Sequence, residues 1–225
     1  PIIPGNRFRA ARILLAYIPL FETPTARSAF VIGREARVYA GYFKNAGLNE
    51  VKTNVRGRVP RGGRVDLVFV APEPDWITGA RRMGPADWRA LRATLTRGGV
   101  CAYHLDARLL SVARAKKLLA EFGAVFPSYR LWCVGLNDWV AVGSDAGKPV
   151  NVLADEALEL FERRGAFDDL VSASTPSVAD IFACYVGAEA DVTPAFAQVP
   201  ALGSLRAAWT APRLAFAPPP DGALA

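Results

Sequence analysis

A chain of 225 residues that is 52% hydrophobic, with mean hydropathy +0.16, has ample material for a packed core and is not a largely disordered protein. That length makes one large domain, or a medium domain with a small appendage. The net charge of +6 concentrates before Asp66, where only Glu22, Glu35 and Glu50 oppose the basic residues, an imbalance that suits an acidic partner.

Residues 7 to 21 predict a helix with one apolar face that stops near Pro19. Its apolar stretch, Ile13 to Phe21, is too short to cross a bilayer, so no transmembrane segment is expected. Arg7, Arg9 and Arg12 are not followed by the apolar segment and cleavage site of a signal peptide, and the chain is expected to be cytoplasmic, or peripheral to a membrane. It opens at Pro1 without Met, which reads as a piece of something longer.

Ser28 to Gly33 predicts a short buried strand, and Arg34 to Gly47 a helix capped by Asn45 or Gly47. Glu50 to Val55 alternates as a strand does. A basic glycine-rich loop follows, carrying Arg56, Arg58, Arg61 and Arg64. Val65-Asp66-Leu67-Val68-Phe69-Val70-Ala71 is an unbroken apolar run apart from Asp66, ended by Pro72-Glu73-Pro74-Asp75. Continuous apolarity marks a central strand of a parallel sheet, buried on both faces. Ligands of open α/β sheets bind beyond the carboxyl ends of the strands, so Ala71 to Trp76 should form part of any site floor.

Residues 84 to 95 predict a helix ended by Arg97-Gly98-Gly99, with a strand over Val100 to His104. Leu109 to Phe122 reads as an amphipathic helix with Lys116 and Lys117 outward, and the segments from Arg130 and from Asp138 read as an antiparallel pair. Past residue 145, Ala154 to Arg164 and Ser177 to Val186 predict two more helices, before a proline-rich tail. The expected organisation is α/β over residues 1–145, with a small helical appendage over 146–225.

His104, the only histidine, ends a strand two residues from Asp106, and the two could act as base and orienter. A structural histidine is the simpler expectation. Glu73 and Asp75 are further carboxylates at the strand end; the Arg-Gly loop could hold phosphates or nucleic acid, though it lacks aromatics for stacking bases. Cys101, Cys133 and Cys184 lie far apart without CxxC spacing and predict buried reduced thiols, with neither metal nor disulfide. The five tryptophans are spread along the chain and read as core.

Leu14 to Leu20, Phe30-Val31-Ile32-Gly33, Val65 to Pro74, Asp87-Trp88, Arg97-Gly98-Gly99-Val100, Phe126 to Arg130, Trp139 and Pro212-Arg213-Leu214-Ala215-Phe216 follow one another as in the spermidine synthase family, which the chain resembles over nearly its whole length. The resemblance implies a Rossmann-like methyltransferase-type sheet. It also implies a glycine-rich loop cradling a nucleoside cofactor, an acidic residue gripping the ribose, and a catalytic aspartate after the central strand. Here Gly33 is followed by Arg34-Glu35-Ala36-Arg37, the strand ending at Val55 offers no carboxylate, and Val70 or Ala71 falls at the base position. Too few residues join that strand to the central one for a full crossover, so one β/α unit is expected to be missing. Arg34, Arg37 and the arginines of the Arg-Gly loop are expected to flank the site, the wrong sign for a polyamine.

The resulting expectation is a non-catalytic scaffold or interaction subunit without cofactor or metal, docked to a protein partner or larger assembly or to copies of itself. An active aminopropyl- or methyltransferase-like enzyme using a nucleoside cofactor with a remodelled site is the alternative, and a phosphate or nucleic-acid binder through the Arg-Gly loop the second.

Overall fold

The computed structural model describes residues 4–55, 63–71, 83–107, 110–134, 137–144, 159–160, 162, 164–173, 181 and 184–188. Seven strands form one sheet: β1 (Ser28–Ile32), β2 (Glu50–Asn54), β3 (Val65–Val70), β4 (Leu95–Asp106), β5 (Ser128–Cys133), β6 (Asp138–Ser144) and β7 (Tyr185–Ala188). Their order across the sheet is β2-β1-β3-β4-β6-β5-β7. The first four in that order are mutually parallel; β6 is antiparallel to β4 and β5, and β7 is antiparallel to β5. The described helices are α1 (Pro4–Glu22), α2 (Ala36–Asn45), α3 (Pro85–Ala93), α4 (Val112–Gly123) and α5 (Arg164–Ser172). The architecture is α/β and Rossmann-like.

β3 is the central parallel strand its apolarity predicts, and Leu67, Val68, Phe69 and Val70 are fully buried. Successive side chains of a strand point to opposite faces, so Leu67, Phe69 and Ala71 meet a cluster built from α1, α2 and α5. Val68 and Val70 meet a second cluster, built from α3 and α4. There Trp88 packs edge-on against Tyr103 and Phe122, with ring centroids 5.0 and 5.2 Å away.

α1 departs from expectation in two respects. It has no single apolar face: every residue from Ile13 to Phe21 is buried. It also continues through Pro19 to Glu22. A proline inside a helix forfeits one backbone hydrogen bond, but Pro19 lies in the last turn, where its own carbonyl still accepts from Thr23 N–H at 3.1 Å. Burial of the flanking Ile18, Leu20 and Phe21 offsets the lost bond. No described helix is long and apolar enough to cross a membrane.

α2 ends in a Schellman cap: Leu48 N–H donates to the Phe43 carbonyl and Gly47 N–H to that of Lys44. Gly47 takes φ 90°, so it and not Asn45 is the capping residue. Ten residues, 55 to 64, join β2 to β3, below the dozen or more of a helical crossover. β2 stands at the edge of the parallel half of the sheet.

β4 begins earlier than the glycines suggest. Leu95 already pairs with Val65, and Arg97-Gly98-Gly99 forms an irregularity inside the strand instead of a turn before it. Gly98 adopts φ 79°. A Cβ on Gly99 would lie 2.8 Å from the Asp66 carbonyl oxygen, so close strand contact requires glycine there.

Beyond residue 145, Leu160, Ala166, Leu170, Ala173 and Ile181 join the α1–α2 cluster. The helix expected over Ser177 to Val186 does not extend that far: Tyr185 and Val186 belong to β7, and the Tyr185 ring packs on Trp132 across the sheet at 5.1 Å. Cross-strand aromatic pairing there outweighs helical propensity. Trp88, Trp132 and Trp139 are core as expected, whereas Cys133 and Cys184 are only partly buried and Cys101 alone is fully so.

Candidate functional site

The strand order locates a crevice before any side chain is considered. From β1 the chain moves outward to β2, and from β3 it moves the other way to β4, so the topology reverses between β1 and β3. Crevices that hold ligands in open α/β sheets lie at such a point, outside the carboxyl ends of the strands. Gly33 and Ala71 stand there.

Ladder bonding runs on through both residues: Gly33 N–H donates to the Asn54 carbonyl at 3.0 Å, and Ala71 N–H to the Ile32 carbonyl at 2.8 Å. Gly33 has φ 121°, and a Cβ on it would come within 2.4 Å of the Ala71 carbonyl oxygen. Only glycine satisfies both conditions. The loop it opens is not a bare backbone cradle. Arg34 and Arg37 are exposed, Ala36 is buried, and Glu35, the residue before α2, points its carboxylate at Arg12 of α1. The pair is bidentate, with Arg12 Nε donating to Glu35 Oε2 at 3.1 Å and Nη2 donating to Oε1. α1 thus grips the loop that Gly33 opens. β2 ends in Asn54, not in a carboxylate, and β3 ends in Val70, followed by Ala71; neither of these two can take up a proton.

His104 is at the carboxyl end of β4, but its partner is not Asp106. Its Nε2 lies 3.0 Å from Asp138 Oδ1, on the first residue of β6. The register explains the exchange: Asp106 stands directly opposite Asp138, and His104 opposite Val140. Along one strand, His104 and Asp106 point the same way two residues apart, whereas Asp138 reaches back diagonally across the ladder. Val100 and Ala102, four and two residues from His104 and so on its face of the strand, belong to the α1–α2 cluster, and the pair lies on that face of the sheet.

Tyr39 of α2 completes the corner. Its ring centroid is 4.5 Å from that of Phe69, and it is fully buried. Burial first, then the Glu35 and Asp138 carboxylates, push its phenol far up, with Arg12 opposing, so it stays protonated. Sequence reasoning missed Arg12, Asp138 and Tyr39. Only Asp138 carried a signal, as a carboxylate where a strand resumes antiparallel to the histidine strand.

Of the arginines expected to flank the site, Arg34 and Arg37 are exposed just after Gly33, at this end. Arg64 is exposed at the amino end of β3, across the sheet from Gly33 and Ala71. The direction of the strand decides this. Arg56, Arg58 and Arg61, like Glu73 and Asp75, lie outside the described residues. At the carboxyl end the described charges are Arg34, Arg37 and the Arg12–Glu35 pair beside Asp106 and Asp138. Among the described residues no group of three or more His, Cys, Asp and Glu could hold a metal ion.

No protein-family model and no curated protein matches the chain. Among solved structures it is similar to a spermidine synthase in complex with the transition-state analogue AdoDATO, at 12% identity over 67% of this chain and 64% of that one, TM-score 0.48. It is also similar to spermidine synthase from Thermotoga maritima, at 13% identity over 64% and 62% of the two chains, TM-score 0.46. Human methyltransferase-like protein 13 in complex with SAH matches at 13% identity over 76% and 93%, TM-score 0.41. The chain thus spans less than two thirds of the length of either spermidine synthase.

Proposed function

We propose that this domain is a non-catalytic scaffold or interaction subunit, a Rossmann-like sheet kept for its surface, which docks to a larger assembly. The observation that carries this reading is the Arg12–Glu35 pair, which fills with side chains a loop that nucleoside cofactors approach along bare backbone. Support also comes from Val70 and Ala71, at and just after the end of the central strand where a base would have to stand, and from Asn54 at the end of β2. The basic first third of the chain makes an acidic partner surface the natural complement.

Calorimetric titration of the purified domain with S-adenosylmethionine, its decarboxylated form and methylthioadenosine tests this. No heat of binding up to millimolar ligand is the expected outcome, and micromolar binding of any of the three overturns the reading. A transferase with a remodelled site is the second reading, and the His104–Asp138 pair at 3.0 Å is the observation that favours it. That reading requires the same titration to succeed.

A further inference from the structure

Two residues on the outer face of α2, and one just before it, work against the helix itself. At 3.6 residues per turn, Arg37, Val38, Gly41, Lys44 and Asn45 fall within about a third of the helix circumference. All five are exposed, while Ala36, Tyr39, Ala40 and Phe43 on the other side are buried. Gly41 stands at the middle of the exposed arc.

Glycine inside a helix is less stable than alanine, and nothing in the described fold asks for it at this position. Its φ is not positive, and a Cβ on it would meet no atom within 4 Å. Gly165 gives the contrast. Where α5 meets the end of α2, a Cβ on Gly165 would lie 2.6 Å from the Asn45 carbonyl oxygen.

The charges are placed as unfavourably. The amino end of a helix is the positive end of its dipole and suits anions, yet α2 has no acid in its first turn. Arg37 lies in that turn, and Arg34 is exposed just before it. Glu35, the only carboxylate between Gly33 and Asn49, is held by Arg12. Among the described residues no carboxylate forms an ion pair with Arg34, Arg37 or Lys44. Val38, between the cations, is one of the few large apolar side chains left exposed among the described residues. Proteins depart from local rules of this kind at functional sites, and here the departures share one face. A helix of opposite charge answers all of them: glycine admits its backbone closely, Val38 gives an apolar contact, and Arg37 and Lys44 stand two turns apart, about 10.5 Å along the axis.

We propose that the outer face of α2 is the docking surface for an acidic helix of a partner protein. That helix crosses at Gly41 and presents carboxylates to Arg37 and Lys44, with Arg34 at the amino end. The proposal rests on the reading of the domain as an interaction subunit, and names its surface and the chemistry of its partner.

The probe is a stapled, fluorescein-labelled, alanine-rich helical peptide with two glutamates seven residues apart, followed by fluorescence anisotropy with the full chain. Saturable binding is expected, weakening about tenfold as salt rises from about 0.05 to about 0.3 M, and absent when glutamines replace the glutamates. Gly41→Leu places a side chain in open space, so its denaturant midpoint should be no lower than that of the parent while binding weakens about tenfold. Arg37→Glu with Lys44→Glu changes only exposed side chains, is expected to lose the binding, and serves if Gly41→Leu fails to fold. No saturable binding, equal binding of the glutamine peptide, or undiminished binding by a folded variant overturns the proposal. So does tighter binding of duplex DNA or of phosphatidylserine vesicles that is lost in the same variants. Failure here, with no heat in the cofactor titration, removes this surface alone. Micromolar cofactor binding removes the interaction reading itself, whatever the peptide does.

Discussion

Asp66 is the one polar residue in the central strand, and its role is structural. Its Oδ2 accepts from Arg27 N–H at 2.9 Å, Ser28 N–H at 3.0 Å and Ser28 Oγ at 2.8 Å, while Oδ1 accepts from Thr96 Oγ1 at 2.8 Å. Burial pushes its carboxyl up, but the Arg27 N–H, the Thr96 and Ser28 hydroxyls and the Ser28 N–H outweigh that and hold it below the usual value. Since the folded value lies below the unfolded one, the stabilisation is whole above about pH 4 and is lost as pH falls through the folded value. Asp66→Asn is expected to cost about 1–3 kcal/mol near neutrality and to flatten the acid limb of the stability curve. Urea unfolding of both proteins across acidic pH measures this; parallel curves would remove Asp66 as the source. The same carboxylate joins the starts of β1, β3 and β4, which is why a charge is tolerated inside an apolar run.

Among the elements, α1 is the one whose placement local sequence describes least well. Its carboxyl end is fixed to β5 by Glu22, whose Oε1 accepts from Arg130 Nε at 2.7 Å and from Trp132 Nε1 at 3.1 Å, with Arg130 Nη2 donating to Oε2. The two charged side chains are only 1% and 8% exposed. Glu22→Gln strands a buried guanidinium without its counter-charge, so a loss of about 3–5 kcal/mol is expected. Adding Arg130→Met should recover much of that loss, because a buried ion pair contributes little beyond an apolar pair of similar volume. Denaturant midpoints for the single and double variants decide it: a double variant no more stable than the single one would mean that Arg130 is required for more than this pair. α5 is held in a comparable way, with Tyr17 Oη and Asn45 Nδ2 both donating to Asp169 Oδ2, at 3.0 and 3.2 Å. These contacts link segments more than a hundred residues apart, beyond the reach of any pattern in a local window.

At the scale of the whole molecule, the sheet separates two apolar clusters, and the described part of the later chain contributes to the sheet and to both clusters, mostly to the one around α1. Leu160, Ala166, Leu170, Ala173 and Ile181 line the cluster around α1, and β7 extends the sheet beside β5. A chain ending at residue 145 would expose that face and leave β5 as an open edge. It is expected to melt well below the full chain, while the full chain unfolds in one transition by both circular dichroism and tryptophan fluorescence. Two separated transitions in the full chain would mark residues 146–225 as an independently folding unit.

Several features were legible in the sequence because they are local or periodic. The unbroken run from Val65 identified a central parallel strand, since burial on both faces leaves no polar alternation. An amphipathic segment followed by Asn45 and Gly47 marked the end of α2, because helices commonly close on a residue that tolerates positive φ. What only the tertiary structure decided was which distant residues meet. His104 pairs with Asp138 and not with Asp106 because side chains on one strand run parallel, while the antiparallel neighbour can reach across. Glu35 meets Arg12 because α1 packs beside α2, and Arg64 falls at the amino end because strand direction separates it from the crevice. Helical signals through Ser177 to Val186 stopped short because pairing with β5 and the Trp132 ring placed Tyr185 in a strand. Spacing along the chain sets which residues can share a face; register and packing set which of them touch.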